Sequence, residues 1–404
     1  MTAVNAVRLR FIDAARGAAM LGVFLAHFGT AYLLTHGMIA ESGWAFAFGR
    51  IAAPTFVLVS GLLLGYRSFL RPLRFGDHAD GLVDRGLFLL TIGHLLLLLA
   101  HAPLAGGIRP ALRWEFMTDA IGLSLLCGVA LVPRMGMSGR LALGAAIYTA
   151  SWAVLLLWHP TAFGVRLAKE TLVGTTRGAN LYTDSFPLLP WFGAYLAATA
   201  AGEWLARRAA KDGLAAPLAK LRTAGLVALL LALVVRGGEQ LVTVVTGSGM
   251  PWGLHLLLAP SQKLPPGPAY LLFYGGAGAV LIWAMLALET RRAGAAVVRE
   301  LAILGRASLA LFIAQYFVFF TAFPLLRLPS TPWWPLFLLL AVLLLVGVAR
   351  VWDGARANRF LTVGYPRLTR WYGRRTATET NTKETTARMP QPRTLQRAGP
   401  GGTH

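Results

Sequence analysis

What most restricts the folds open to this chain is a recurrence of apolar stretches about as long as a bilayer is thick, with most of the charge held between them. In hydrocarbon every backbone N–H and C=O must be satisfied within the segment, so runs of roughly 20 apolar residues leave the α-helix as the workable structure. Such stretches fall near residues 11–33, 44–66, 86–101, 117–133, 141–158, 186–206, 223–241, 267–288, 304–326 and 333–349. The chain is 56% hydrophobic and 14% charged, with a mean hydropathy of +0.59, far from a soluble domain. We therefore expect an all-α integral membrane protein of about ten transmembrane helices within residues 1–353. Residues 354–404 turn basic and then Thr-rich, with too little apolar surface to bury, and are expected to be disordered.

Charge sets the expected orientation. The N-terminal segment and the connections at 67–85, 134–140, 207–222 and 289–306 hold seventeen Lys and Arg, and the alternate connections hold seven. Both termini are thus expected on the cytoplasmic side. The formal charge of +21 is explained by this bias and by the tail, so no nucleic-acid partner is implied. Cys127 is the only cysteine and lies in an apolar span, which excludes an intramolecular disulfide and a multi-cysteine metal site. Arg8 and Arg10 precede the first span as in a signal peptide, but the span is too long and lacks a small-x-small site, so it is expected to stay.

The first span, RLRFIDAARGAAMLGVFLAHF, carries Asp13, Arg16 and His27, each expensive in hydrocarbon. Arg16 and His27 are eleven residues apart. At about 100° per residue they return to one face, three turns and roughly 16 Å apart. Asp13 lies one turn before Arg16 on that side, and Met20 and Val23 fill the stripe between. A face polar at both ends and apolar between suits a ligand with a charged end and an alkyl-like middle, and Gly17 lets a helix or that ligand approach closely. The alternative is that Arg16 snorkels, Asp13 neutralises it and His27 bonds within the bundle.

Other spans add polar groups. Arg50, about two turns into the second span, falls at a depth similar to His27, either as its neighbour or as an outer anchor. His94 and His101, seven apart, share a face of the third span, where each may bond a backbone carbonyl or serve chemistry. No metal centre is expected, because no H-E-x-x-H or H-x-x-x-H occurs. Glu115 and Asp119, and further on Asp184 and Trp191 in TDSFPLLPWFG, mark an outer rim able to contact a carbohydrate, or an ordinary solvated and interfacial edge. The arginines Arg67, Arg71, Arg74, Arg207, Arg208, Arg291 and Arg292 are accounted for mostly by positive-inside bias, with phosphate binding as the other use.

The first helix, with Asp13, Arg16, Gly17 and His27 in (I/L)D-x-x-RG followed by R-x10-H, resembles the transmembrane acyltransferases. These comprise acyltransferase family 3, the glucan succinyltransferases and the heparan-α-glucosaminide N-acetyltransferase relatives. PTFVLVSGLLLG, with Pro54, Phe56, Ser60 and Gly61, is similar to their second helix, and FPLLPWFG to an element of the N-acetyltransferase relatives. LGRASLALFIAQ resembles LG-(K/R)-x-S-L-x-(I/L)-(Y/F)-x-x-H, with Gln315 where a histidine is common. The resemblance implies transfer of an acyl group, most plausibly acetyl, from cytoplasmic acyl-CoA to a hydroxyl or amine of a carbohydrate or glycolipid outside. It implies a multi-pass protein of the bacterial inner membrane. His27 is then the expected general base and Arg50 its catalytic neighbour, disfavouring imidazolium or stabilising the oxyanion. Arg16, Asp13 and Gly17 are expected at the donor, and Asp119, Asp184, Trp191 and Gln315 at the acceptor. An acyl-His27 intermediate stays open. Whether the chain forms a homo-oligomer is also left open.

A transporter or flippase, with Asp13, Arg16 and His27 as a substrate or proton path, would show the same charged face, though the sequence has no inverted repeat. A non-catalytic subunit of an envelope polysaccharide system is a third reading. Thiol release from acyl-CoA by purified protein separates the first reading from these two. The charge asymmetry generates a prediction of its own: reporters fused to either terminus should report the cytoplasm, and an outside C-terminus would overturn the span count.

Overall fold

The computed structural model describes residues 9–40, 43–70, 75–175, 181–182, 186–247 and 251–366. It divides into a unit of Met1–Val363 and a short terminal one, Gly364–His404. No β-strand occurs among the described residues. The first unit therefore runs ten residues past the boundary expected at 353, through a 3-10 turn at Ala357–Phe360 whose Asn358 bonds the Arg306 carbonyl. The tail beyond Pro366 lies outside the described residues.

Among the described residues eight helices are long and apolar enough to cross a membrane: α1 (Arg10–Leu34), α2 (Trp44–Leu70), α3 (Ala79–Ala105), α5 (Met137–Leu157), α8 (Ala215–Thr246), α10 (Pro268–Glu289), α12 (Ser308–Leu326) and α13 (Trp334–Gly354). The other two expected spans are helices too, but differ in kind. One, α4 (Met117–Leu131), is shorter. The other, α7 (Leu188–Asp212), is long but ends in Glu203, Arg207, Arg208, Lys211 and Asp212. Its lining of Trp191, Tyr195, Leu196 and Thr199 is buried by protein, so protein rather than lipid surrounds it. Two shorter helices, α6 (Phe163–Val173) and α9 (Trp252–Leu258), lie in connections.

Residues 289–306, expected as a basic connection, form a helix of their own, α11 (Arg292–Arg306). Its buried residues are Gly294, Val298, Ala302, Leu304 and Gly305, all but Leu304 small, so little hydropathy marks it in the sequence. This surface lies directly on α1. A methyl group at Gly17 would run into the Leu301 carbonyl oxygen, and one at Gly305 into the Asp13 carbonyl oxygen. Between α2 and α7 the same device recurs, with Gly65 against the Thr199 carbonyl and Gly202 against Leu62. Small residues let helix backbones touch where apolar burial alone gives no drive, because lipid is as apolar as leucine.

Ion pairs gather where α1, α5 and α12 begin and α7, α10 and α13 finish. Arg140 of α5 is wholly buried and pairs with Glu203, which also accepts from Arg207 Nε at 2.9 Å. Arg306 pairs with Asp353 through Nε at 2.8 Å, and that bond raises the pKa of its guanidinium against the opposing effect of burial.

Four π-helical turns interrupt the spans, at Gly29–Leu34, Leu89–Gly93, Leu271–Gly275 and Phe317–Ala322. Three of them directly follow Phe28, precede His94 and follow Tyr316. Single π turns re-aim the side chains around them and are frequent at functional sites.

The α1–α11 contact is testable by bulk. Gly305→Val should cost about 3 kcal/mol or more, because backbone rather than a flexible side chain must yield. Gly81→Ala, with nothing within 4 Å of the added atom, should be neutral or stabilising by up to about 1 kcal/mol. Thermal melts in detergent compare the two.

Candidate active site

Arg16 and His27 both turn to the same helix. Arg16 Nη2 donates to Ser308 Oγ at 2.7 Å, and His27 Nδ1 lies 2.7 Å from Gln315 Oε1. Ser308 and Gln315 are seven residues apart on α12, roughly 10 Å along its axis against roughly 16 Å for the α1 pair. The length of the arginine side chain covers the difference.

Gln315 is fully buried, and its Nε2 donates to the Phe312 carbonyl at 3.1 Å. The amide oxygen is therefore the atom facing His27, and an amide oxygen only accepts. The imidazole must carry its proton on Nδ1, which leaves the Nε2 lone pair as the free acceptor. The ring is held by aromatic neighbours on α12: Phe312, Tyr316 and Phe320, with centroids at 6.3, 5.0 and 4.9 Å. These three recur every fourth residue and so line one helix face.

Arg50 closes the short first turn of α2, and its carbonyl accepts from Tyr270 Oη at 2.9 Å. Gly49 packs on Ala26, so the chain neighbours of Arg50 and His27 touch. Asp13 is buried beside Gly305, and Gly17 admits helix α11.

Other expectations change. Met20 and Val23, the expected lining of an alkyl slot between Arg16 and His27, are buried in the core with Leu304, Ala307 and Leu311, so protein fills that stripe. Asp119 is not an open rim carboxylate. It is buried, with both oxygens 3.0 Å from His94 Nδ1 and Oδ2 accepting from Phe116 N at 2.9 Å. Trp191 is wholly buried between Phe186 and Tyr270 rather than at a rim, because the α7 surface it sits on is enclosed. Gln315, expected at the acceptor, is the fixed partner of His27. Asp184 lies outside the described residues. Among the described residues no group of three or more His, Cys, Asp or Glu is placed to hold a metal.

Sequence reasoning missed two neighbours. Lys263, in the connection before α10, lies within electrostatic reach of His27 and sits 4.8 Å over the Phe186 ring. A lone lysine in a connection carries no periodic signal. The aromatic face 312, 316, 320 did carry one, at the spacing of a helix face around Gln315.

The model of a family described as heparan-alpha-glucosaminide N-acetyltransferase, catalytic, matches residues 8–234, more than half of the chain. No curated protein matches. The matched segment holds Arg16, His27, Arg50 and the third span's histidines. Helix α12, which orients His27, lies beyond it.

The tautomer is open to direct measurement. With histidine labelled by ¹⁵N, His27 should show the Nδ1-protonated neutral form, and Gln315→Leu, which removes the acceptor, should abolish that preference. A fixed Nε2–H form in the wild type would remove His27's free lone pair.

Proposed function

The chain belongs to the heparan-alpha-glucosaminide N-acetyltransferase catalytic family, and is accordingly a membrane acetyltransferase in kind; from that premise we propose that it moves acetyl from acetyl-CoA to a hydroxyl or amine of a carbohydrate or glycolipid. The bacterial inner membrane is the proposed location, with the donor on the cytoplasmic side and the acceptor outside. What carries the proposal is the Gln315 clamp, since a base needs a neutral imidazole with a fixed free nitrogen.

The chemistry follows from that nitrogen. His27 Nε2 takes the proton of the acceptor O–H or N–H as the acceptor atom bonds to the thioester carbonyl carbon. The carbonyl oxygen becomes an oxyanion, opposite which Arg50 and Lys263 are the available cations. Collapse breaks the C–S bond, and the sulfur leaves with the proton held by His27, giving the free thiol and a neutral base. Preorganised positive charge in a low-dielectric site stabilises the oxyanion far more than in water. Arg16, tied to Ser308 at the end of the bundle where cations cluster, is proposed for the donor's phosphate or pantetheine end.

Three variants test this by thiol release and by CoA binding. His27→Gln, an amide that hydrogen-bonds but carries no proton, should lower transfer by roughly 10² to 10⁴ with CoA affinity intact. Arg16→Ala should weaken CoA binding, with partial rescue by Arg16→Lys. Near-normal transfer by His27→Gln would make His27 structural, and unchanged CoA affinity in Arg16→Ala would assign that arginine to anchoring. Parallel initial-rate lines in the wild type would indicate an acyl-His27 intermediate instead of direct transfer.

A further inference from the structure

One buried imidazole is not used by this chemistry. His101 on α3 is 1% exposed, and neither Nδ1 nor Nε2 has a hydrogen-bond partner. A neutral imidazole brings one donor and one acceptor, and leaving both unmade inside a membrane protein is costly. The expected backbone partner is absent. His94, seven residues earlier on the same helix, has found Asp119. His101 has found only rings.

Those rings place it. Trp114 lies 4.0 Å away, Phe320 5.1 Å, Tyr316 6.2 Å and Phe116 6.4 Å, centroid to centroid. Phe320 and Tyr316 are also the rings against His27, so two imidazoles from α1 and α3 share one aromatic wall. One has a fixed free nitrogen and the other has both nitrogens unmade. An acetyl group at that wall offers it only a methyl. A polyhydroxylated ring offers a polar group beside the reacting one, able to give and take a hydrogen bond.

We propose that His101 is a substrate-binding residue that reads the polar group next to the one acylated, and so selects acceptors with vicinal polar groups over simple alcohols or amines. This rests on the acyl-transfer reading for its substrate, but not for its geometry. A residue kept polar at the expense of stability is expected where function requires it.

The test compares wild type, His101→Phe and His101→Gln with two acceptors: D-glucosamine, and cyclohexylamine, which has a ring amine without neighbouring hydroxyls. The wild type should favour D-glucosamine in kcat/KM. His101→Phe should raise the KM for D-glucosamine by roughly 10- to 100-fold, leave cyclohexylamine and CoA binding unchanged, and melt about 2 to 6 °C higher because no polar group is stranded. His101→Gln, which restores a donor and an acceptor, should recover part of the preference. An unchanged D-glucosamine KM in His101→Phe overturns the proposal, and so does a lower melting temperature with equal losses for both amines. If the wild type transfers to neither amine, acyl transfer to these acceptors fails, and equilibrium binding of D-glucosamine decides: weaker binding by His101→Phe upholds the role of His101, and equal binding, or none to the wild type, overturns it.

Discussion

A charged or strongly polar side chain surrounded by hydrocarbon must be satisfied by protein, and that requirement governs how this bundle is put together. Arg16, His27 and His94 each meet it by pairing with a residue on another helix: Ser308, Gln315 and Asp119. Two of these partners come from α12, so α12 must be held in register with α1. Holding it falls to α11, which touches α1 backbone to backbone at Gly17 and Gly305 and ends two residues before Ser308. A bulky residue at either glycine would push α11 away and unmake polar pairs that no lipid can replace.

The π turns show how the same helices do two jobs. A regular helix repeats its faces, so a residue chosen to pack at one level commits those above and below it. Directly after Phe28 and after Tyr316 the helices pass through π turns. Within the first, Tyr32 turns to the Pro329 carbonyl, and beyond it His36 turns to the Leu328 carbonyl, so that α1 is clipped to the loop after α12. Within the second, Phe320 reaches both His27 and His101. The polar stripe of α1 thus ends at His27, about five turns from its start, and the far end of the helix is released to anchor a loop.

Much of this was legible because helical periodicity is a strong signal. The eleven-residue spacing of Arg16 and His27 put them on one face, and they do turn to one helix. Counting along antiparallel spans also put Arg50 near His27, and their chain neighbours Gly49 and Ala26 touch. What counting along single helices does not supply is which helix covers which. Asp119 and Trp191 were placed at a rim by their position near span ends, yet burial depends on neighbours distant in sequence, and both are enclosed. α11 escaped notice because its buried surface is mostly glycine, alanine and valine, with Leu304 the one large residue, and its three arginines read as part of a basic connection. The histidine pair of the third span was legible too, but that His94 finds Asp119 and His101 finds no partner depends on the helices packed around them.

The filled stripe between Arg16 and His27 bears on how the two ends of the proposed reaction are joined. Met20 and Val23 are packed against Leu304, Ala307 and Leu311, so no extended arm can lie along α1 from one polar pair to the other. A donor anchored near Arg16 must then bring its thioester to His27 by another route, past a face of α1 or α12 that does not carry that packing. The aromatic wall of Tyr316 and Phe320 is where His27 meets groups from other helices, and it is shared with His101 on α3. Acceptor and thioester therefore meet, on the proposed reading, beside α12 rather than along α1, and the Gln315 clamp is what keeps the base turned to them.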